Sequence, residues 1–184
     1  MPVYRCPPTV AGVLILTVDN SVGCGQLDAR AVAEQVLDPE LPVLTLADLG
    51  VLRDVRDVDG VIVVTITPTY SGCPALHEMR ADLRRKLRDA GYERVEIHTA
   101  LAPAWTTDWI SDDGRRKLAE HGIAPPGRTA GPITLNLVPP RHDVRCPRCG
   151  SGQTTELSRF SSTACKALRR CDACREPFEH VKEI

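Results

Sequence analysis

Four cysteines near the end of the chain constrain it more than any other feature. Cys146-Pro-Arg-Cys149 and Cys171-Asp-Ala-Cys174 are two CxxC pairs with 21 residues between them. A CxxC turn can aim two thiolates at one ion, and two such turns complete a tetrahedron. The stretches Thr154 to Phe160 and Cys165 to Cys171 read as strands that bring the turns together, which is the layout of a zinc ribbon. A unit of about 50 residues buries too little apolar surface to fold on its own core, so bound metal supplies its stability. A redox CxxC fits less well, because two pairs at matched spacing occur without a βαβ context, and an iron–sulfur centre on the same thiolates is the other alternative. Cys165 is a fifth cysteine in this region. It reads as a small buried hydrophobe in a strand, with a spare metal ligand as the competing reading.

Five of the eight cysteines cluster in this way. A secreted scaffold would spread its cysteines for disulfides, so the clustering points to a reducing compartment, the cytoplasm. The net charge is −1 and the pI is near 6.5. Bulk positive charge therefore cannot drive nucleic-acid binding. From Arg141 onward nine basic side chains face six acidic ones, and only Phe160 and Phe178 could stack on bases. A protein-docking surface explains that balance as well as nucleic acid does. The longest purely apolar run is Val13 to Leu16, far short of a membrane span. Residues 1–26 show no period and no clean cleavage signal, and are expected to be a flexible extension.

From residue 27 to 123 the pattern is that of an α/β domain. Ala29, Val32, Ala33, Val36 and Leu37 mark one helix face, with Asp28 as cap and Asp38-Pro39 as stop. Leu41 to Leu49 reads as a loop carrying acidic residues. Val51 to Val58 and Val61 to Thr67 are strands joined by Asp59-Gly60, the dipeptide of a type I′ hairpin. The second strand is apolar on both faces, as a central strand would be. Ser71-Gly72-Cys73-Pro74 opens a second helix closed by Gly91. Tyr92 to Leu101 is a third strand, and Ser111 caps a third helix ending at Gly122. Pro/Gly-rich residues 124–132 form a linker, and 133–184 are the ribbon.

Cys73 at a helix start would face unsatisfied N–H groups and the positive end of the dipole, which favour thiolate. If the loop before the first strand lies at the same sheet edge, Asp38, Glu40, Asp48, Thr67 and Cys73 converge, and such a group could hold iron or an iron–sulfur precursor transiently. The competing reading makes Cys73 a buried cap and Asp38 and Asp48 turn residues. A cysteine hydrolase is poorly supported: His77 lies one turn further on without an orienting partner, and His98 and His142 read as solvated. No catalytic centre is evident.

Two long motifs carry a resemblance. Asp38-Pro-Glu-Leu-Pro-Val-Leu-Thr-Leu-Ala-Asp-Leu-Gly50 and Thr65-Ile-Thr-Pro-Thr-Tyr-Ser-Gly-Cys-Pro74 resemble the SufT-like domain of iron–sulfur assembly factors. Pro103-Ala-Trp-Thr-Thr-Asp-Trp-Ile110, Gly122-Ile-Ala-Pro-Pro126 and Ser161-Ser-Thr-Ala-Cys-Lys-Ala-Leu168 within the ribbon narrow this to the PaaD family, accessory subunits encoded with the phenylacetyl-CoA epoxidase (ring 1,2-oxygenase) of aerobic phenylacetate degradation. The resemblance covers roughly residues 28 to 184. It implies a compact αββαβα domain followed by a small β zinc ribbon. It also implies structural zinc on Cys146, Cys149, Cys171 and Cys174, transient iron or an iron–sulfur cluster as cargo, and support of metallocentre maturation in the epoxidase complex. The implied partners are epoxidase subunits, among them the iron–sulfur reductase subunit. Oxygenase chemistry would belong to those partners, since this chain has no Glu-x-x-His pairs for a di-iron bundle and no flavin or nicotinamide fingerprint. A purely structural subunit and a zinc-ribbon nucleic-acid-binding regulator are the competing functions. Residues 1–26 fall outside the resemblance.

Overall fold

The computed structural model describes residues 28–127 and 144–183. The expected extension over 1–26, most of the linker and His142 lie outside them. The first unit runs α1 (Ala29–Ala33), β1 (Leu52–Val58), β2 (Val61–Ile66), α2 (Leu76–Asp89), β3 (Val95–Thr99) and α3 (Asp112–Glu120). This is the expected αββαβα order. The second holds β4 (Ile123–Ala124), β5 (Thr154–Ser158), β6 (Lys166–Cys171) and β7 (Pro177–Val181).

Asp28 caps α1 as expected, accepting from the Arg30 N–H at 3.2 Å. The helix, however, ends at Ala33, so the apolar face does not continue to Leu37. The chain turns extended instead. Leu37 bridges to Thr45, the Asp38 N–H donates to Leu44 O at 2.9 Å, and the Leu46 N–H donates to Val36 O at 2.8 Å. These bonds take the backbone groups a longer helix would use, and Leu37 is left 51% exposed. The same pairing folds the segment after Pro39 inward, so that Leu41, Leu44, Leu46, Leu49 and Val51 are all buried. What reads as an acidic loop is therefore a wall of the core.

β1 and β2 pair antiparallel across the predicted turn, where Asp59 and Gly60 both have positive φ, 52° and 74°. α2 then crosses over to bring β3 parallel to β2, which makes β2 central in the order β1-β2-β3. Only one face of β2 is sealed. Ile62, Val64 and Ile66 are buried against α2, whose Met79, Leu83 and Leu87 supply the facing layer, while Val61, Val63 and Thr65 are half-buried. After β3, Trp105 enters this core, and its indole N–H donates to Leu49 O at 2.9 Å. Ser111 caps α3 through the Gly114 N–H. Gly50 and Gly114 let this region close. A Cβ on Gly50 would lie 2.6 Å from Trp109 O, and one on Gly114 would lie 2.9 Å from Asp48 O.

The second sheet has the order β4-β7-β6-β5. β4 pairs parallel with β7, Ile123 with Glu179 and Ala124 with His180, so the chain enters this sheet before its Pro/Gly stretch. β7 is a strand that the sequence pattern does not predict. Its Val181 belongs to the core cluster of the first unit, whereas Ala124, Val144, Cys146, Cys171 and Phe178 form a separate small one. The loop before β6 is pinned by one carboxylate. Glu179 Oε1 accepts from Ser161 Oγ at 2.5 Å and Ser162 Oγ at 2.8 Å, and its Oε2 accepts from the buried Lys166 Nζ at 2.7 Å. Burial alone would raise the Glu179 carboxyl, but Lys166 and the two serines outweigh it and hold it at about 2.

Two expected outcomes test these contacts. Gly50→Ala forces a Cβ into Trp109 at a positive φ of 67°. It should cost on the order of 3 kcal/mol, read as a fall of roughly 10 °C in Tm. Glu179 is depressed in the folded state, so its contribution is complete above the unfolded carboxyl value of about 4.3 and is lost as pH falls toward 2. In urea titrations, Glu179→Gln should be less stable than wild type at neutral pH and lose less between those two pH values. An equal loss would contradict the assignment.

Candidate functional site

Each CxxC pair is shaped by a backbone turn that closes on its first cysteine. The Gly150 N–H donates to Cys146 O and the Arg175 N–H to Cys171 O, both at 2.9 Å. The residue after each pair is left-handed, Gly150 at φ 73° and Arg175 at φ 65°. The turns meet with Cys146 Sγ 3.8 Å from Cys174 Sγ and Cys149 Sγ 3.5 Å from Cys171 Sγ. All four sulfurs lie within 4.8 Å of one another. A tetrahedron with Zn–S bonds of about 2.3 Å has edges of about 3.8 Å, so the donor set fits zinc. Cys146 and Cys171 are buried and Cys149 and Cys174 face solvent. The thiols also show the strain of four acids sharing one place. The Cys174 N–H pulls Cys171 down to about 7. Cys174 is pushed up to about 12, because burial and its three neighbouring thiols outweigh the N–H of Glu176. A bound dication removes that conflict by taking all four as thiolates.

The other candidate residues divide into two groups. Asp38 is 3% exposed, and its Oδ1 accepts from the Glu40 N–H at 2.9 Å and the Leu41 N–H at 2.7 Å. Burial raises its pKa in spite of those two donors, and burial together with Asp38 raises that of Glu40. Cys73 lies close enough to both carboxylates to feel their charge. Asp48 does not join them. Its Oδ2 accepts from the Thr45 N–H at 2.9 Å and from Lys117 Nζ at 2.8 Å, which fastens α3 to the core. Thr67 is buried just beyond β2, where its N–H donates to Val51 O.

Cys73 departs from the expected thiolate. Burial pushes its pKa up, the Ala75 N–H opposes this, and Glu40, Asp38 and Cys165 reinforce it. The helix proper begins at Leu76 with Ala75 as cap, so Cys73 stands ahead of the donor ring that would stabilise an anion. It is also 6% exposed rather than open. Cys165 is the residue whose place sequence reasoning misses. It precedes β6 rather than lying in it, and the Lys182 N–H donates to its carbonyl at 2.9 Å. It faces the first unit, where with Asp38, Glu40, Met79 and Trp105 it lines a cavity of about 20 Å³. The linear pattern holds no trace of this, because 92 positions separate Cys73 from Cys165.

His77 is exposed, and His98 lies beside Glu96 at 3.3 Å. The ribbon's cations are largely matched: Arg148 with Glu176, Lys166 with Glu179, Arg169 with Glu156 and Arg170 with Asp172. Phe178 is buried, and Lys182 covers the exposed Phe160 ring at 4.6 Å. No helix of the described residues is long and apolar enough to cross a membrane.

Two family descriptions match separate parts of the chain. Residues 28–99 match the family described as iron-sulfur cluster assembly protein, and residues 132–182 match the PaaD zinc beta ribbon domain. The Escherichia coli (strain K12) protein named "Putative 1,2-phenylacetyl-CoA epoxidase", with the subunit letter D, is 49% identical over 154 residues, which are 84% of this chain and 90% of that protein. The Fe-S protein maturation auxiliary factor YitW of Bacillus subtilis (strain 168) is 38% identical over 80 residues, 42% of this chain and 78% of that protein. A crystal structure of a domain of unknown function, DUF59, from Bacillus anthracis is 27% identical with a TM-score of 0.45, covering 49% of this chain and 87% of that one. With an iron–sulfur assembly domain and a four-thiolate zinc ribbon in one polypeptide, the chain belongs to the PaaD family of phenylacetyl-CoA epoxidase subunits.

Proposed function

We propose that this chain is a cytoplasmic accessory subunit of a phenylacetyl-CoA epoxidase system, and that it supports maturation of an iron–sulfur or other metallocentre in a partner subunit. The partner we favour is the iron–sulfur reductase subunit. What supports this reading is the match of this domain to the iron–sulfur cluster assembly family, together with the charges of Glu40 and Asp38 acting on the Cys73 thiol within it. A soft thiol and two hard carboxylates make a mixed donor set suited to holding iron briefly. Burial keeps the Cys73 thiol protonated, so it resists oxidation while empty and gives up its proton only when a cation arrives. Zinc in the ribbon has a structural part, because all four of its positions are filled by cysteine and none is left for a substrate.

The burial of Cys73 also favours a second reading, in which the chain only docks within the complex and the cysteine fills a gap ahead of α2. Cys73→Ser separates the two. It keeps the size and the backbone but removes the soft ligand. The fold should be near normal, growth on phenylacetate should be lost, and the epoxidase purified from such cells should be under-metallated. Normal epoxidase iron in that strain would leave the docking reading in place. Asp48→Asn should instead lower Tm by a few degrees through the loss of its Lys117 contact, with epoxidase iron unchanged.

Cys149→Ser should abolish stoichiometric zinc and with it binding energy on the order of 10 kcal/mol. Residues 144–183 should melt. The first unit should survive with a lower Tm, since Val181 leaves its core. Metal analysis and circular dichroism read both effects, and zinc content equal to wild type would refute the ligand assignment.

A further inference from the structure

Among the described residues the two sheets end in β1, β3, β4 and β5, and three of these edges are blunted against further pairing. β1 and β5 each carry a register break, at Leu52/Asp54 and at Glu156/Ser158, and β4 is only 2 residues long. β3 differs. It runs in unbroken register along β2 from Val95 to Thr99, and its other side is bonded to no described strand. We propose that this edge is the docking site for an extended acidic segment of a partner protein, which adds to the sheet as a further strand beside β3 and sets its carboxylates against the arginines of α2. The proposal holds whether the chain delivers metal or only docks.

The backbone of β3 fixes which groups are open. The Ile62 N–H donates to Arg94 O and the Ala100 N–H donates to Ile66 O, both at 2.9 Å. Alternate residues of a parallel strand face the same neighbour. Glu96 and His98 therefore serve β2, whereas Val95, Ile97 and Thr99 turn their N–H and C=O groups outward. One outward group already has a substitute partner: Arg80 Nη2, from α2, donates to Ile97 O at 3.1 Å. A guanidinium there fills the place that the N–H of a neighbouring strand would take, and it is free to turn to a carboxylate when that N–H arrives. On the same strand the Thr99 hydroxyl oxygen is buried with no hydrogen-bond partner among the described residues. Leu101, 58% exposed, continues the edge with an apolar side chain.

Charge selects the partner. Arg80, Arg84 and Arg88 follow one another at every fourth residue of α2 and so share one face. α2 runs back between two parallel strands and is antiparallel to β3. Four residues of helix rise about 6 Å and two residues of strand about 6.6 Å, so Arg84 falls level with Val95 as Arg80 does with Ile97. No acidic side chain of the described residues pairs with these three arginines, and Asp82 is taken by Arg85 at 2.6 Å. Glu96 and His98, in register with Val63 and Thr65, lie on the opposite face of the sheet, 3.3 Å from each other. An added strand sends every second side chain toward α2. Aspartate or glutamate at alternate positions would meet the arginines while the backbone takes the edge. A second copy of this chain does not fit, because pairing β3 with itself would bring two arginine rows together.

The test uses the full, zinc-loaded chain, isotope-labelled for NMR, with a blocked peptide of alternating glutamate and threonine as the probe. Amide hydrogen exchange should slow at Ile97 and Thr99 when the peptide is added, and stay unchanged at Glu96 and His98, which are already bonded to β2. Arg84→Glu and Arg88→Glu alter side chains that bond to nothing among the described residues. Each should weaken binding about tenfold, and added salt should weaken it further. A peptide N-methylated at alternate residues keeps the charge but loses the donors, and should give no protection. Unchanged exchange at Ile97 and Thr99 with the peptide at about 1 mM would overturn the site. So would equal binding of the N-methylated peptide, or of a peptide with lysine in place of glutamate. Slow exchange at Ile97 and Thr99 in the free chain would also overturn it, assigning the edge to a second copy if the chain sediments as a dimer and to the chain itself if it does not. Failure of the peptide together with binding of single-stranded RNA at the same arginines would make the row a nucleic-acid site instead.

Discussion

The four-thiolate site holds up more of this protein than its size suggests. The second sheet has a core cluster of Ala124, Val144, Cys146, Cys171 and Phe178, two of which belong to the four-thiol cluster. That is too little apolar surface to offset the conformational entropy of ordering the ribbon strands. Zinc supplies the difference and fixes where β6 and β7 run. Those strands and the loop before β6 carry part of what the ribbon sets against the first unit: Val181 in the larger core, Lys166 and Glu179 beneath that loop, and Cys165 at its end.

The meeting of the two units is electrostatically unusual. Asp38 and Glu40 are partly or wholly withdrawn from water at a place where two further thiols are withdrawn as well. Burial dominates each of these shifts, and it raises the proton affinity of every member. Asp48 shows the contrast within the same sequence motif. Burial would raise it too, but the ammonium of Lys117 and the Thr45 donors outweigh that effect and keep it ionised. One motif thus contains a carboxylate that fastens a helix and another whose pKa burial raises. The difference lies in whether a cation from elsewhere in the fold reaches it.

Much of the architecture is legible in the amino-acid order itself. The four-thiol cluster follows from paired spacing, since a CxxC turn closes on itself whatever surrounds it. The Asp59-Gly60 hairpin, the Asp28 and Ser111 caps and the central place of β2 are likewise local rules or simple alternation. The helix pattern misplaces Leu37 because it has no knowledge of the segment at 44–46 that competes for the same backbone groups. The wall from Leu41 to Leu49 reads as a loop because its apolar residues follow neither a period of 3.6 nor a period of two.

The sequence alone determined what is local: which thiols pair in CxxC turns and where most turns and caps fall. Only the tertiary structure decided the charge state of Cys73. Its burial and the charges that act on its thiol arise from segments far apart in the chain. Desolvation is set by whatever covers a group, and no local run of sequence records what that is.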